Sequence, residues 1–189
     1  MKSKKKTTIY TILLCVIAVA FSYFYAYIDK NIYLYDRNTD TGTFQNMGVL
    51  TEGETITQKF VSKEDTIDGI NIKVSLAGNV EDVMLHYALM DTETKEIVEN
   101  KISAVQLENN KFNQLGISQI EEAKGREYEL ILNVENADEQ NGISFYLTQD
   151  DMLVTRVICH RFDTETFIVS AGIFVFVYAF MTVLYKAFR

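Results

Sequence analysis

The chain contains no proline and no tryptophan among its 189 residues, and only two cysteines and two histidines. Without proline, a rigid proline-rich linker is excluded, and exposed sheet edges must be protected by charged side chains. Without tryptophan, the largest ring for stacking on a sugar is missing. Cys15 and Cys159 are too few for a disulfide framework. His86 and His160 lie far apart and share no metal-ligand spacing, so we interpret both as ordinary sheet residues.

Motifs for catalysis and for cofactor binding are also missing. The sequence has no nucleophile elbow, no P-loop, no dinucleotide fingerprint and no CxxC pair. We therefore predict no catalytic residue, no cofactor-binding residue and no metal ligand. The closest approach to a site is a set of acidic pairs at expected loops: Glu64 and Asp65 with Asp68, Glu81 and Asp82, Glu121 and Glu122, and Asp150 and Asp151.

These acidic pairs have three interpretations. Solvated loop charge is the main one. Carboxylates on loops are also ligands for calcium, so a structural calcium ion is the alternative, although no EF-hand spacing is present. Paired carboxylates also hydrolyse glycosidic bonds, but no spacing here selects a pair for that role. A glycosidase is therefore the least favoured function, and we predict that the protein is not an enzyme.

Long apolar runs, in contrast, are present at both ends of the chain. Residues 7–28 and 166–185 contain no charged side chain. Each run is about 20 residues long, enough for a helix to cross a hydrocarbon core of roughly 30 Å. The first run is longer than the apolar part of a usual signal peptide, ends in bulky aromatic residues and has no A-x-A cleavage site before the domain. We predict two transmembrane helices, at residues 7–28 and 164–185.

The distribution of charge predicts the orientation of these helices. Basic residues near membrane spans favour the cytoplasmic side, and here they cluster at both chain ends: Lys2, Lys4, Lys5, Lys6, Lys186 and Arg189. We therefore predict a two-pass protein of the cell membrane, with cytoplasmic segments at residues 1–6 and 186–189 and an extracytoplasmic domain between the helices.

The central segment is strongly acidic. Residues 30–165 carry 12 Lys and Arg and 25 Asp and Glu, a formal net charge of −13. Such a charge opposes binding to nucleic acid and to anionic lipid. We predict no nucleic-acid partner, and the overall charge favours neutral glycans, cations or basic partners.

Alternating apolar residues in this segment predict strands. The clearest alternations cover residues 70–76, 83–89, 128–134 and 143–147, and shorter candidates cover 56–61, 96–105, 111–117 and 153–162. Turn residues separate them, including the Asn141-Gly142 dipeptide that is typical of a tight hairpin turn. About eight strands without helices between them predict an all-β antiparallel sandwich at residues 54–163. Residues 29–53 are polar with aromatic interruptions and are predicted to form a stalk or approach.

Part of this pattern resembles a known class of domains. The segments ITQKF (56–60), DGINIKV (68–74) and KGREYELILNV (124–134) resemble the jelly-roll ectodomains of membrane proteins in Gram-positive cell-envelope and polysaccharide assembly, which are similar to carbohydrate-binding modules. The resemblance implies a jelly-roll-like sandwich and a non-enzymatic accessory or binding module that contacts the membrane and either an envelope glycan or a membrane-protein partner. The alternative is a structural or sensor-type subunit with protein partners only. No functional residue follows from the resemblance.

Two further groups of residues are candidates for contacts. Small residues in the outer halves of the two apolar runs let helix backbones approach closely, so we predict a helix–helix contact through Ala18, Ser22, Ala26, Ser170, Ala171 and Gly172. The alternatives are a chance occurrence or a contact with another subunit. An aromatic platform for sugars is conceivable at His86, Tyr87, Tyr128 and Tyr146, but packing within the sheets is the favoured interpretation for most of these side chains.

Overall fold

The computed structural model describes residues 2–188, with side chains from residue 9 onward. The chain divides into two compact units. One comprises Lys30–Cys159 and holds almost all of the β-structure, and the other comprises the chain ends, up to Asp29 and from His160. The described residues contain ten strands: β1 (Tyr27–Tyr33), β2 (Gln45–Leu50), β3 (Thr55–Val61), β4 (Ile67–Ala77), β5 (Met84–Asp91), β6 (Ile97–Ser103), β7 (Phe112–Ile120), β8 (Glu127–Glu135), β9 (Gly142–Leu147) and β10 (Thr155–Phe162).

The strands form two sheets. The four-stranded sheet has the order β3-β8-β5-β6, and its registered pairs are antiparallel. The six-stranded sheet has the order β1-β10-β4-β9-β2. Its long strand β4 pairs along both of its edges: Ile70 pairs with Val157 of β10 on one edge and with Leu115 of β7 on the other. Strand β4 is therefore the central element of this sheet.

Side-chain alternation divides each sheet into a buried face and an exposed face. In β8 the even-numbered residues from Tyr128 to Val134 are buried, and in β4 the same holds for Ile70, Ile72 and Val74. Inward residues of both sheets form one apolar cluster. Burial of each such Leu or Ile side chain contributes roughly 1.5–3 kcal/mol. The inner faces therefore hold the fold together, while the outer faces are free to carry functional side chains.

All eight strands predicted from the sequence are present, but two more lie earlier in the chain. Strands β1 and β2 fall largely within the segment expected to be a stalk, and both join the six-stranded sheet. The expected count of about eight strands is therefore corrected to ten for the part of the chain that the structure describes. The first of these strands was missed because it pairs at long range. Strand β1 pairs with β10, which lies more than 120 residues away along the chain, and a local sequence pattern does not identify such a partner.

Two helices complete the fold, α1 (Lys2–Tyr25) and α2 (Thr164–Ala187). Helix α2 is long and apolar enough to cross a membrane, with a mean hydropathy of 2.4 over its most apolar window. The apolar part of α1 is shorter, at Ile9–Tyr25. Helix α1 ends before the predicted residue 28, because Tyr27 and Ile28 already belong to β1.

The first turn of α2 is well capped. The Asp163 carboxylate accepts a hydrogen bond from the Thr166 amide at 3.0 Å, and Glu165 lies in the first turn. Lys186 lies in the last turn. Negative charge at the start and positive charge at the end of a helix both stabilise it through the helix dipole. In the described part of the chain, Cys15 and Cys159 form no disulfide.

Candidate functional site

The outer face of the six-stranded sheet carries a continuous group of aromatic and basic side chains. We call this group the aromatic–cation face. Arg37 is exposed and the other members are half-buried. The members are Tyr33, Tyr35, Arg37, Phe44, Lys73, Phe112, Tyr146 and Arg156.

Strand register explains how these residues meet. Lys73 lies on β4 between the buried Ile72 and Val74, so its side chain points outward. Its partner across the pair with β7 is Phe112. Arg156 lies outward on β10, opposite Asn71 of β4. Lys73 and Arg156 are therefore diagonal neighbours on one face, and their Cα atoms are roughly 7–8 Å apart.

Arg156 packs between two rings. Its guanidinium carbon lies 3.6 Å from the centroid of the Phe112 ring and 4.5 Å from that of Tyr33. Because Phe112 belongs to β7 and Tyr33 to β1, the rings approach from opposite directions along the sheet. Burial raises the pKa of Tyr35, and a hydrogen bond with Arg156 partly opposes this rise. The guanidinium is therefore held in place by aromatic neighbours.

Lys73 forms the second basic centre of the face. Its Nζ lies 4.7 Å from the ring centroid of Tyr146 and 5.3 Å from that of Phe44. The Tyr146 hydroxyl donates a hydrogen bond to Asn110 Oδ1 at 2.6 Å, which sets the position of the ring.

Two edge-to-face ring contacts connect the basic centres. The Tyr33 and Tyr35 centroids are 5.3 Å apart, and those of Tyr35 and Phe44 are 5.7 Å apart. The rings therefore form one row from Arg156 to Lys73. Rings of this kind stack on the apolar faces of sugars, and the basic groups between them donate hydrogen bonds to hydroxyl or acidic oxygens.

Two buried polar atoms of the face, Asn71 Oδ1 and Arg156 Nε, have no hydrogen-bond partner within the described structure. Their residues are paired across β4 and β10. Asn71 Nδ2 donates to Asn31 Oδ1 at 3.1 Å, so only the amide oxygen is unsatisfied. Buried polar groups without partners are uncommon and destabilising, and two of them lie here at the centre of the face.

The sugar platform considered from the sequence does not assemble. Tyr87 and Tyr128 point into the core and are 4% and 1% exposed. His86 lies on the outer face of the four-stranded sheet, where its Nε2 is 3.0 Å from a Glu135 oxygen. Tyr146 is the one member of that set on the aromatic–cation face.

The outer face of the four-stranded sheet is a second candidate surface. It holds an open depression of about 410 Å³, lined by residues that include His86, Glu99, Lys101, Ile131 and Asn133. The tyrosine of its lining, Tyr87, points its ring into the core. This depression lacks the outward, half-buried rings that make the aromatic–cation face suited to sugars.

The histidines and acidic residues do not gather into a metal centre in the described residues. No group of three or more His, Cys, Asp or Glu able to hold a metal is found there. His160 Nδ1 is 2.8 Å from Asp29 Oδ1, and His86 has its carboxylate neighbour on the other sheet.

The structure places the six predicted helix-packing residues at different depths of the helical unit. Ser22, Ala26 and Ser170 are buried, Ala18 and Ala171 are half-buried, and Gly172 is exposed. The Phe21 and Phe174 rings meet edge to face, with centroids 5.6 Å apart. The Asp163 amide donates to the Ala26 carbonyl at 2.8 Å, which joins the end of α1 to the start of α2.

Sequence reasoning missed the aromatic–cation face as a site. Tyr33, Tyr35 and Phe44 lie in the segment interpreted as a stalk, so they were not assigned to a sheet. The available signal was the alternation Ile32, Tyr33, Leu34, Tyr35, which is the period-2 pattern of a strand.

Comparisons with known proteins found no family model that matches the chain and no curated protein with a matching sequence. Functional inference therefore depends on the geometry of the chain's own residues.

Proposed function

We propose that this protein is a membrane-anchored, non-enzymatic binding module of cell-envelope polysaccharide assembly, and that its aromatic–cation face binds glycan. The row of rings that joins Arg156 to Lys73 is the observation that carries the proposal. Tyrosine and phenylalanine rings offer broad contact area at a small cost in side-chain entropy. Basic side chains between the rings supply the hydrogen-bond donors that orient a sugar.

Membrane anchoring by both helices is the second part of the proposal. The apolar part of α1, Ile9–Tyr25, has 17 residues and a length of about 26 Å, at the short end of the range for a helix that crosses a bilayer. Ser22, Ala26 and Ser170 are small and buried in the helical unit, which supports a pair of closely packed helices. The basic residues at both chain ends favour cytoplasmic termini and an extracytoplasmic β unit.

The same face also suits a second candidate, a structural or sensor-type subunit with protein partners only. Tyrosine, phenylalanine and arginine are the residue types enriched at the centres of protein interfaces. The two candidates differ in what remains bound to the purified chain. A glycan module binds saccharides without a further protein, whereas a subunit co-purifies with a membrane partner.

A glycan array tests the proposal directly. The full chain, held in nanodiscs of neutral phosphatidylcholine, is applied to an array of envelope-type polysaccharides and oligosaccharides. We expect binding that falls about tenfold for each of Tyr33→Ala and Tyr146→Ala, since each ring contributes roughly 1–1.5 kcal/mol. The matched controls are His86→Ala and Ile131→Ala on the other sheet, which should leave binding unchanged.

The outcomes separate the candidates. Absence of binding to every saccharide, together with a stably co-purified membrane protein, would reject the glycan proposal in favour of the subunit. Binding that persists in the ring variants and falls in the control variants would move the site to the four-stranded sheet.

A further inference from the structure

We infer that the glycan bound by the aromatic–cation face carries negative charge, as carboxylate or phosphodiester groups. This inference rests on the proposed glycan-binding function and specifies its ligand class. The net charge of residues 30–165 favours neutral or basic partners, whereas this inference favours an acidic ligand. The difference arises because the inference depends on where the basic side chains lie and not on their number.

Within the described residues, the cations of the face have no carboxylate partner. Arg37, Lys73 and Arg156 contact aromatic rings and form no ion pair. Two other basic residues of residues 30–159 lie beside carboxylates in the described structure. Arg126 lies 2.7 Å from an Asp91 oxygen, and Lys111 pairs with Glu108.

Arg37 lies in a segment with 25 acidic and 12 basic residues. The acidic residues closest in sequence to Arg37 are used in local turns. Asp36 Oδ1 accepts the Asn38 amide at 2.9 Å, and Asp40 Oδ1 accepts the Gly42 amide at 2.9 Å. Both carboxylates therefore support the loop backbone, and neither forms an ion pair with Arg37 within the described residues.

The geometry of Arg156 favours an acidic group over a neutral hydroxyl. Rings lie against the guanidinium on two sides, its planar shape directs the N–H groups to its edge, and one of them hydrogen-bonds Tyr35. A planar guanidinium with donors at its edge matches the two oxygens of a carboxylate or phosphate. The hydrogen bonds to a charged acceptor are about twice as strong as those to a neutral one.

Long-range repulsion from the acidic unit does not prevent this contact. At physiological ionic strength the Debye length is about 8 Å, so charges beyond that distance are largely screened. The Cα atoms of Lys73 and Arg156 are diagonal neighbours about 7–8 Å apart, so both side chains start from one small area of the sheet and can contact a single oligosaccharide. The local pair of cations therefore decides the sign of the preferred ligand.

Matched probes test the charge of the ligand. The full chain in phosphatidylcholine nanodiscs is titrated with oligogalacturonate, with the same oligosaccharide as its neutral methyl ester, and with poly(glycerol phosphate). We expect at least one acidic probe to bind tenfold or more tightly than the methyl ester, and to weaken when sodium chloride is raised. The two acidic probes distinguish a carboxylate from a phosphodiester.

Variants locate the effect. Lys73→Gln with Arg156→Gln should lower affinity for the acidic probe tenfold or more and change affinity for the methyl ester less than twofold. Arg156→Lys keeps the charge and should retain the preference for the acidic probe. Lys101→Gln, on the outer face of the four-stranded sheet, is the matched control and should have no effect. Circular dichroism confirms that each variant is folded.

Three results would overturn the inference. Equal affinity for the methyl ester and the acid would reject it while leaving glycan binding in place. Binding to none of the probes or array saccharides would reject glycan binding and the inference together. Capture of the full chain by vesicles of anionic lipid, lost in the Lys73 and Arg156 variant, would assign the face to a lipid surface instead.

Discussion

Replacement of Tyr87 and Tyr128 by phenylalanine should change the free energy of unfolding in opposite directions. Both rings are buried on the inner face of the four-stranded sheet, and burial raises the pKa of both hydroxyls. Their hydroxyl environments differ. Tyr87 donates to the Gly116 carbonyl at 2.8 Å, whereas the Tyr128 hydroxyl has no hydrogen-bond partner within the described structure.

The expected magnitudes follow from this difference. Tyr87→Phe removes one hydrogen bond, which costs about 1 kcal/mol, and the Gly116 carbonyl keeps its bond from Asn100 Nδ2 at 3.1 Å. Tyr128→Phe removes a buried hydroxyl that pays for its desolvation without a bond in return, so it should stabilise the protein by about 1 kcal/mol. The ring of Tyr128 keeps its contact with Phe60, whose centroid is 5.9 Å away. The two variants should therefore differ by about 2 kcal/mol.

Urea unfolding of the full chain in a neutral detergent measures both effects. Far-UV circular dichroism follows the loss of the sheets. The slope of the unfolding free energy against urea concentration should be the same in all variants, so a shift in the urea midpoint measures a change in stability. The reasoning fails if both variants are destabilised equally, or if Tyr128→Phe is the more destabilising of the two.

Two further predictions concern a turn and a buried carboxylate. Gly78→Ala should lower the free energy of unfolding by about 3 kcal/mol, because φ is +61° and a Cβ would lie 2.3 Å from Asn141 Oδ1. Gly125 has φ +80° but open space around it, so Gly125→Ala should lower the free energy of unfolding by only about 1–2 kcal/mol. Equal losses in the same urea assay would show that the close approach at Gly78 is absent. The pKa of Asp91 is lowered, first of all by a hydrogen bond from the Thr94 amide. The ionised Asp91 carboxylate therefore stabilises the folded protein fully above about pH 4, and this stabilisation is lost as the pH falls through the lowered pKa. Asp91→Asn should therefore lower stability at neutral pH and flatten the acid loss, and an unchanged pH profile would contradict this role.

The overall plan of the molecule is readable from local pattern. Apolar runs without charge predict helices at both ends, and α2 begins and ends close to the predicted residues. Period-2 alternation is a property of a few consecutive residues, so it identified eight strands.

The sequence by itself therefore determined the helices, most strands and the acidic character of the segment between them. Only the tertiary structure decided where the positive charge lies, because Lys73 meets Phe44 and Tyr146 through pairings of strands distant in the chain. Net charge is a sum over residues and contains no positions, so it favoured neutral or basic partners. The sheet brings Arg156 and its rings together on one face, and it is this proximity that now points to an acidic ligand.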